Sequence, residues 1–425
     1  MKKEEQLWIR VWGDWEGLSK PMFIGSLFSS VVRGREVFSF EYDSNWISSG
    51  LAQSFDPSLK LFKGRQYAPE EQSNFGVFLD SAPDRWGRLL MKRREAQAAR
   101  DEKRKERTLL ESDYLLGVYD GHRMGALRFC TTPDGPFLDH NKEVASPPWT
   151  SLRELEHASL ELEKENAEKN PQYRKWLRML IAPGGSLGGA RPKASVLGEQ
   201  GDLWIAKFPS TKDEFDVGAW EEVVHRLAAR CGITTSEAMT RKFNSKYHTF
   251  LTKRFDRTRS QKRIHFASAM TLLQRGDGDD ASSGTSYLEI AGLLGQQGAD
   301  PNADLEQLWR RIVFFICVSN SDDHLRNHGF LPEPKGWRLA PAYDMNPVPD
   351  AEGLRLNISE TDNAQSLELA KDVATYFRVK APRAAEMIKE VVAGVKQWRK
   401  VAKSLGISSS QTNQMDRAFG VANSG

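Results

Sequence analysis

Short apolar runs punctuated by glycine open the chain. Between residues 7 and 40 the groups Val11-Trp12-Gly13, Phe23-Ile24-Gly25 and Val37–Phe40 combine β-branched and aromatic side chains with turn formers, which predicts short strands joined by turns. The period then changes. Over residues 84–94, Trp86, Leu89 and Leu90 share one helical face. Pro147-Pro148 breaks the chain, and Leu152, Leu155, Ser159 and Leu162 predict a helix that stops before Asn170-Pro171. Strand-like runs follow at 193–197 and 203–208 around a turn at 198–202, then a helix over 220–230 with Val223, Val224, Leu227 and Ala228 apolar. The strongest helical pattern is Leu305, Leu308, Trp309, Ile312, Val313, Ile316 and Cys317. Residues 329–331 and 337–340 flank a Pro/Gly turn, the mark of a β-hairpin. Ile388, Val391, Val392, Val395, Trp398, Ala402 and Leu405 predict one helix over 381–405, and the polar stretch 408–425 predicts a fraying end.

Composition narrows the class. At roughly 150 residues per domain, 425 residues predict two or three units. Sixty Lys+Arg against 57 Asp+Glu leave +3, so the molecule as a whole is not a cationic glove for nucleic acid. With 39% hydrophobic and 28% charged residues the chain is ordinary globular protein. Cys130, Cys231 and Cys317 stand far apart without a CxxC, which argues against a disulfide framework or structural zinc and fits a reducing cytosol. The charged N-terminus lacks the apolar core of a signal peptide, and no run reaches the roughly 18 apolar residues of a membrane span. Residues 92–107 carry eight Lys/Arg against four acids; this reads as a solvated helix face, with a nucleic-acid or partner surface as the alternative.

Four chemical features occur in order. The first is the glycine-rich Gly184-Gly185-Ser186-Leu187-Gly188-Gly189, followed by two strands, the second carrying Lys207. Glycines let backbone N–H groups approach an anion, and a strand lysine can reach phosphate oxygens. The spacing is not that of a Walker loop. The second is Glu221 near the start of a helix, placed either to favour the helix N-terminus or to pair with Lys207. The third is the polar loop Ser319-Asn320-Ser321-Asp322-Asp323-His324-Leu325-Arg326-Asn327 after an apolar helix; Asp322 and Asn327 are five apart, the separation of base and metal-binding Asn in kinase catalytic loops. The fourth is Asp344, set beyond a hairpin, in the order in which kinases present their second metal ligand.

The segments SLGGARPK, WIAKFP, LTKRFDR, NSDDHLRNHGF and LAPAYDM resemble HipA-type serine/threonine kinases, toxin components of bacterial toxin–antitoxin modules. FEYDSNW, FGVFLDSAPDRWGRLL and GVYDGHRMGALRF extend the resemblance into the N-terminal half. It implies an α+β, protein-kinase-like two-lobed fold with a mostly helical C-terminal lobe and a family-specific N-terminal subdomain. The division would be 1–147 for that subdomain, 148–255 for an N-lobe-like part and 256–425 for the helical lobe.

By the same resemblance Asp322 matches the catalytic aspartate, and Asn327 and Asp344 match the Mg²⁺ ligands. Lys207 matches the phosphate-binding lysine and Glu221 its ion-pair partner. Lys253 and Phe255 match the hinge that meets adenine; Gly188, Gly189 and His324 fall among the nucleotide-binding positions. Ser186 matches a serine that the family autophosphorylates. Asp323 departs from the pattern, which usually has Gly there, and adds a carboxylate next to the base that would raise its pKa or recruit metal. ATP and Mg²⁺ are the implied cofactors. The implied partners are a HipB-like helix-turn-helix antitoxin, operator DNA through that complex, and a protein substrate such as an aminoacyl-tRNA synthetase, in the bacterial cytoplasm and without a membrane. Two other readings remain open: a co-repressor with a residual kinase site, and a metal hydrolase built on Asp322, Asp323, His324 and His328.

Overall fold

The computed structural model describes residues 6–424 apart from 134, 141–146 and 182–188. It resolves into two compact units, Met1–Thr211 with Asp256–Ala267, and Lys212–Phe255 with Ser268–Gly425.

The first unit starts with strands β1 (Leu7–Gly13), β2 (Met22–Val32), β3 (Arg35–Tyr42), β4 (Gln66–Tyr67) and, after helix α1 (Arg85–Asp101), β5 (Leu127–Cys130). They form an antiparallel sheet in the order β4-β3-β2-β1-β5. The period-two alternation sends Ile9, Val11, Ile24, Leu27, Phe38 and Phe40 to one face, where they form a core with Trp46, Phe55, Phe75 and Phe78. Asp84 caps α1 by accepting from Gly87 N at 2.8 Å. The helix continues past the expected stop at residue 94 and ends at Asp101.

The basic stretch 92–107 is therefore only partly helical, and several of its charges are engaged. Arg104 bonds Glu95 at 2.5 Å, Arg107 forks onto Asp113 with two 2.8 Å bonds, and Arg93 reaches the Leu162 carbonyl at 2.7 Å. Helices α2 (Leu152–Glu163) and α3 (Tyr173–Ile181) precede the hairpin β6 (Lys193–Leu197) and β7 (Leu203–Lys207).

The first unit also contains a fully buried cation. Arg123 donates to the carbonyls of Ser81, Leu115, Val118 and Leu138 at 2.8 to 3.1 Å. The returning segment completes this region: Asp256 accepts from Gly125 N at 2.9 Å, and Arg257 donates to the Arg123 carbonyl at 2.9 Å.

The second unit is mostly helical. Helix α4 (Val217–Arg230) is capped by Asp216, which accepts from Ala219 N at 3.1 Å and meets His248 Nδ1 at 2.5 Å. Gly218 is required in its first turn, because a Cβ there would stand 2.2 Å from the His248 carbonyl oxygen. The hairpin β8 (Ala238–Arg241) and β9 (Thr249–Lys253) follows, then α5 (Tyr287–Gln297) and α6 (Pro301–Val318), whose residues from Leu308 onward are all buried. The expected hairpin forms as β10 (Gly329–Glu333) and β11 (Gly336–Leu339).

The C-terminal expectations need correction. Residues 381–405 are two helices, α7 (Ala381–Val395) and α8 (Trp398–Ser404). Residues 408–424 do not fray but make short helical turns that bury Met415, Ala418, Phe419 and Ala422. The two corrections share a cause. The break at Lys396-Gln397 lets Trp398 stack on Phe419 with ring centroids 4.3 Å apart and planes within 9°.

Candidate active site

Helix α6 ends where Ser319 takes a left-handed conformation with φ of 50°, and the polar loop begins. Asn320 is completely buried and its Oδ1 accepts from Asn346 N at 3.0 Å, while Val348 N donates to the Ser319 carbonyl at 3.0 Å. The helix end is thereby tied to the segment that follows Asp344. Asp344 itself has φ of 57°, a region that aspartate tolerates better than most residues. Its neighbour Tyr343 donates to the Arg326 carbonyl at 2.6 Å and packs on Phe255 at 5.4 Å between centroids. Phe255, the backbone of the polar loop and the Asp344 segment meet through that one tyrosine.

Within the loop, adjacent carboxylates have opposite fates. Asp322 is exposed. Its carbonyl accepts from His324 N at 3.0 Å and from Asn327 Nδ2 at 3.3 Å. Because Asn327 spends its amide nitrogen on Asp322, its Oδ1 remains an acceptor. Asp323 is buried, and its Oδ2 receives the Tyr287 hydroxyl at 2.8 Å and meets His328 Nε2 at 2.7 Å. Burial and this carboxylate push the Tyr287 hydroxyl well above its ordinary range, so it stays a donor. Arg311, buried on α6, is pushed down to about 10 by burial against the opposing attraction of Asp323, and so remains a cation at neutral pH.

The Asp323 carboxylate, expected to act on the neighbouring base or on a metal, is held by Tyr287 and His328. Two members of the metal-hydrolase set, Asp323 and His328, are hydrogen-bonded to each other, and His324 and His328 do not lie on one helix. Among the described residues no three His, Cys, Asp or Glu side chains are grouped to hold a metal. Two oxygen ligands, from Asn327 and Asp344, suit Mg²⁺, which usually keeps waters and substrate phosphates for the rest of its octahedron. His324 Nδ1 is buried with no hydrogen-bond partner among the described residues.

The remaining predicted positions are dispersed by element. Glu221 is buried on α4, and Lys253 closes β9 with its N–H on the Glu237 carbonyl at 2.8 Å. In the first unit Lys207 is buried at the end of β7, directly opposite Lys193 in the hairpin register. Lys193 is held by Asp84 Oδ2 and by the Gly189 carbonyl, each at 3.1 Å. Gly188 and Ser186 lie outside the described residues. Sequence reasoning missed Tyr287, Arg311, Asn320 and Tyr343. Only Arg311 carried a signal, a charge inside an otherwise apolar run.

Residues 185–399 match the family described as HipA-like C-terminal domain. A Haemophilus influenzae protein named "Putative kinase" is 29% identical over 189 residues, covering 39% of this chain and 54% of that protein. Y4mE of Sinorhizobium fredii, which carries the same description, is 25% identical over 226 residues, covering 49% and 52%. The chain spans about half the length of these curated relatives. Among solved structures, HipA of the Shewanella oneidensis MR-1 toxin–antitoxin system, determined with HipB and its operator DNA, superposes with a TM-score of 0.65 at 16% identity over 94% of both chains. That likeness shows the fold, an α+β architecture of the HipA kind. Since the match takes in half of its residues, including the polar loop and Asp344, this chain belongs to the HipA-like C-terminal domain family.

Proposed function

We propose that the chain is an ATP- and Mg²⁺-dependent serine/threonine protein kinase that acts as the toxin of a toxin–antitoxin pair. The observation that carries this reading is the loop itself: an exposed Asp322 whose backbone is fixed by Asn327, two hydrogen-bonded steps from the Asp344 segment. Phosphoryl transfer asks a protein for alignment and charge neutralisation more than for covalent chemistry. Asp322 orients the attacking hydroxyl. As the hydroxyl oxygen bonds the γ-phosphorus and the bond from that phosphorus to the ADP oxygen breaks, the hydroxyl proton passes to the Asp322 carboxylate. By the family's pattern Lys207 would balance phosphate charge, Glu221 would be the acidic member of that pattern, and residues 253–255 would receive the adenine through backbone groups. Asn327 and Asp344 are the residues that would hold Mg²⁺, which supplies neutralisation of the phosphate oxygens.

The named relatives, family membership and this loop geometry together support the kinase reading. The lobes at 1–147, 148–255 and 256–425, the cytoplasmic location, an aminoacyl-tRNA synthetase as substrate and autophosphorylation on Ser186 are parts of the same proposal. Asp322→Asn is expected to lower autophosphorylation from γ-labelled ATP by about 10³-fold, while thermal stabilisation by ATP persists. Undiminished label transfer by that variant would remove Asp322 from the role of base.

The HipB and operator DNA bound to the Shewanella HipA favour a second, compatible role in repression with a HipB-like partner. A gel-shift assay checks it: the chain should retard operator DNA only when the antitoxin is added, and Asp322→Asn should do so equally well.

A further inference from the structure

We propose that Tyr287, Asp323 and His328 are positioning residues, a buried clamp that fixes the separation between the proposed base and the proposed metal ligand; the inference rests on the kinase reading. The argument begins with sequence spacing. Asp323 and His328 are five residues apart, as are Asp322 and Asn327, and these two members of the clamp are the immediate neighbours of the proposed base and the proposed metal ligand. Closing the pair at 2.7 Å therefore sets where the two neighbouring backbones stand.

Both ends of the clamp are anchored. His328 packs its ring 5.7 Å from Tyr287 and 6.5 Å from Phe315, and its carbonyl accepts from Ala269 N at 2.8 Å. Tyr287 sits fully buried at the first turn of α5, so its hydroxyl reaches Asp323 from a rigid element. The buried Arg311 supplies the opposite charge that a carboxylate needs in such a site. A glycine at position 323, the residue usual in the resembled family, would leave the Tyr287 hydroxyl and the His328 ring without this acceptor in a buried place. The aspartate is thus part of a set, and the loop does not depend on glycine at this position.

A clamp that acts through the loop changes the rate of transfer more than the binding of nucleotide. The experiment uses the full chain carrying Tyr287→Phe, Asp323→Asn and both together, with three readouts: single-turnover autophosphorylation at saturating ATP, ATP affinity by thermal stabilisation, and hydrogen–deuterium exchange of residues 320–328. Displacements of a catalytic group by about 1 Å cost on the order of 10²-fold. Asp323→Asn is therefore expected to slow transfer by about ten- to a hundredfold, with ATP affinity within about threefold of the parent. Tyr287→Phe, which keeps the ring packing, should be slowed less, and the double variant should be no slower than Asp323→Asn alone, because the two residues act as one unit.

Equal transfer rates in parent and Tyr287→Phe, with unchanged exchange, would overturn the clamp. Multiplicative losses in the double variant would do the same. A parent that binds ATP but transfers no label overturns the kinase reading instead. In that case faster exchange of 320–328 in Tyr287→Phe still upholds the clamp as the element that orders the loop, and unaltered exchange removes it.

Discussion

Two buried charges, one in each unit, are satisfied in contrasting ways. In the first, Arg123 is surrounded by backbone: four carbonyls from three stretches of chain, at Ser81, at Leu115 and Val118, and at Leu138, accept from it. In the second, Asp323 is surrounded by side chains, Tyr287 and His328 by hydrogen bonds and Arg311 by charge. A cation bonded to carbonyls staples segments that have no other reason to meet, and its loss is felt as stability. An anion bonded to side chains orients a short loop, and its loss is felt as alignment. Burial pushes the Arg123 guanidinium down to about 9, which still leaves it charged at neutral pH.

The largest expected effect follows from the staple. Arg123→Met would remove the donor shared by the carbonyls of Ser81, Leu115, Val118 and Leu138 and should destabilise the first unit by about 3–5 kcal/mol, seen as an earlier urea transition for that unit. If Arg123→Met cost no more stability than Tyr287→Phe, the contrast would collapse.

A control lies away from both charges. Phe419→Ala removes the ring stacked on Trp398 and should weaken the second unit by about 3 kcal/mol, again by urea unfolding, while ATP-dependent transfer per folded molecule stays unchanged. A loss of transfer in the folded fraction would show that alignment in this unit is not confined to the clamp.

The smallest effect concerns pH. His265 in the first unit is fully enclosed, beside the Phe55 ring at 4.9 Å, and burial pushes it from 6.5 down to about 3. Its folded value lies below its unfolded one, so the unfolded chain binds the extra proton as pH falls. Stability is full above about pH 6.5 and declines towards pH 3 by about 1.4 kcal/mol per unit for this single group. His265→Phe should flatten that decline when urea midpoints are compared at pH 7, 6 and 5. A parent whose first unit shows no such decline would mean that the native imidazole takes up the proton.

How far the sequence foretold this molecule differs from one region to another. The 329–339 hairpin, α6 and the Asp322/Asn327 spacing were legible because each depends on local periodicity or on a fixed interval. Tyr287 was not, because it reads as an ordinary apolar residue opening an amphipathic helix, 36 positions before the aspartate it serves. Nor was the inward turn of Asp323, since only the folded backbone decides which of two consecutive carboxylates faces the core. The break at Lys396-Gln397 is marked only by Gly394 in the last turn of α7, a weak signal inside a run whose apolar spacing continues past it. The buried residues beyond 408 are few and spread over three short turns, so no period survives to mark them. The basic stretch misled in the other direction: Arg104 finds Glu95 only after the chain has turned, with Lys103 in the left-handed region.

The return of Asp256–Ala267 to the first unit has a consequence for synthesis. A ribosome delivers the chain from its N-terminus, yet the first unit lacks Asp256, Arg257, Arg263 and His265 until residue 267 has been made. At 5–20 residues per second the interval from Thr211 to Ala267 lasts about 3–11 s. Throughout that time the nascent first unit waits with Gly125 and the Arg123 carbonyl unclosed, while the first helix of the other unit is already emerging. Translation speed across these codons, rather than the final energy of either unit, governs how long an incomplete sheet domain is open to chaperones and proteases.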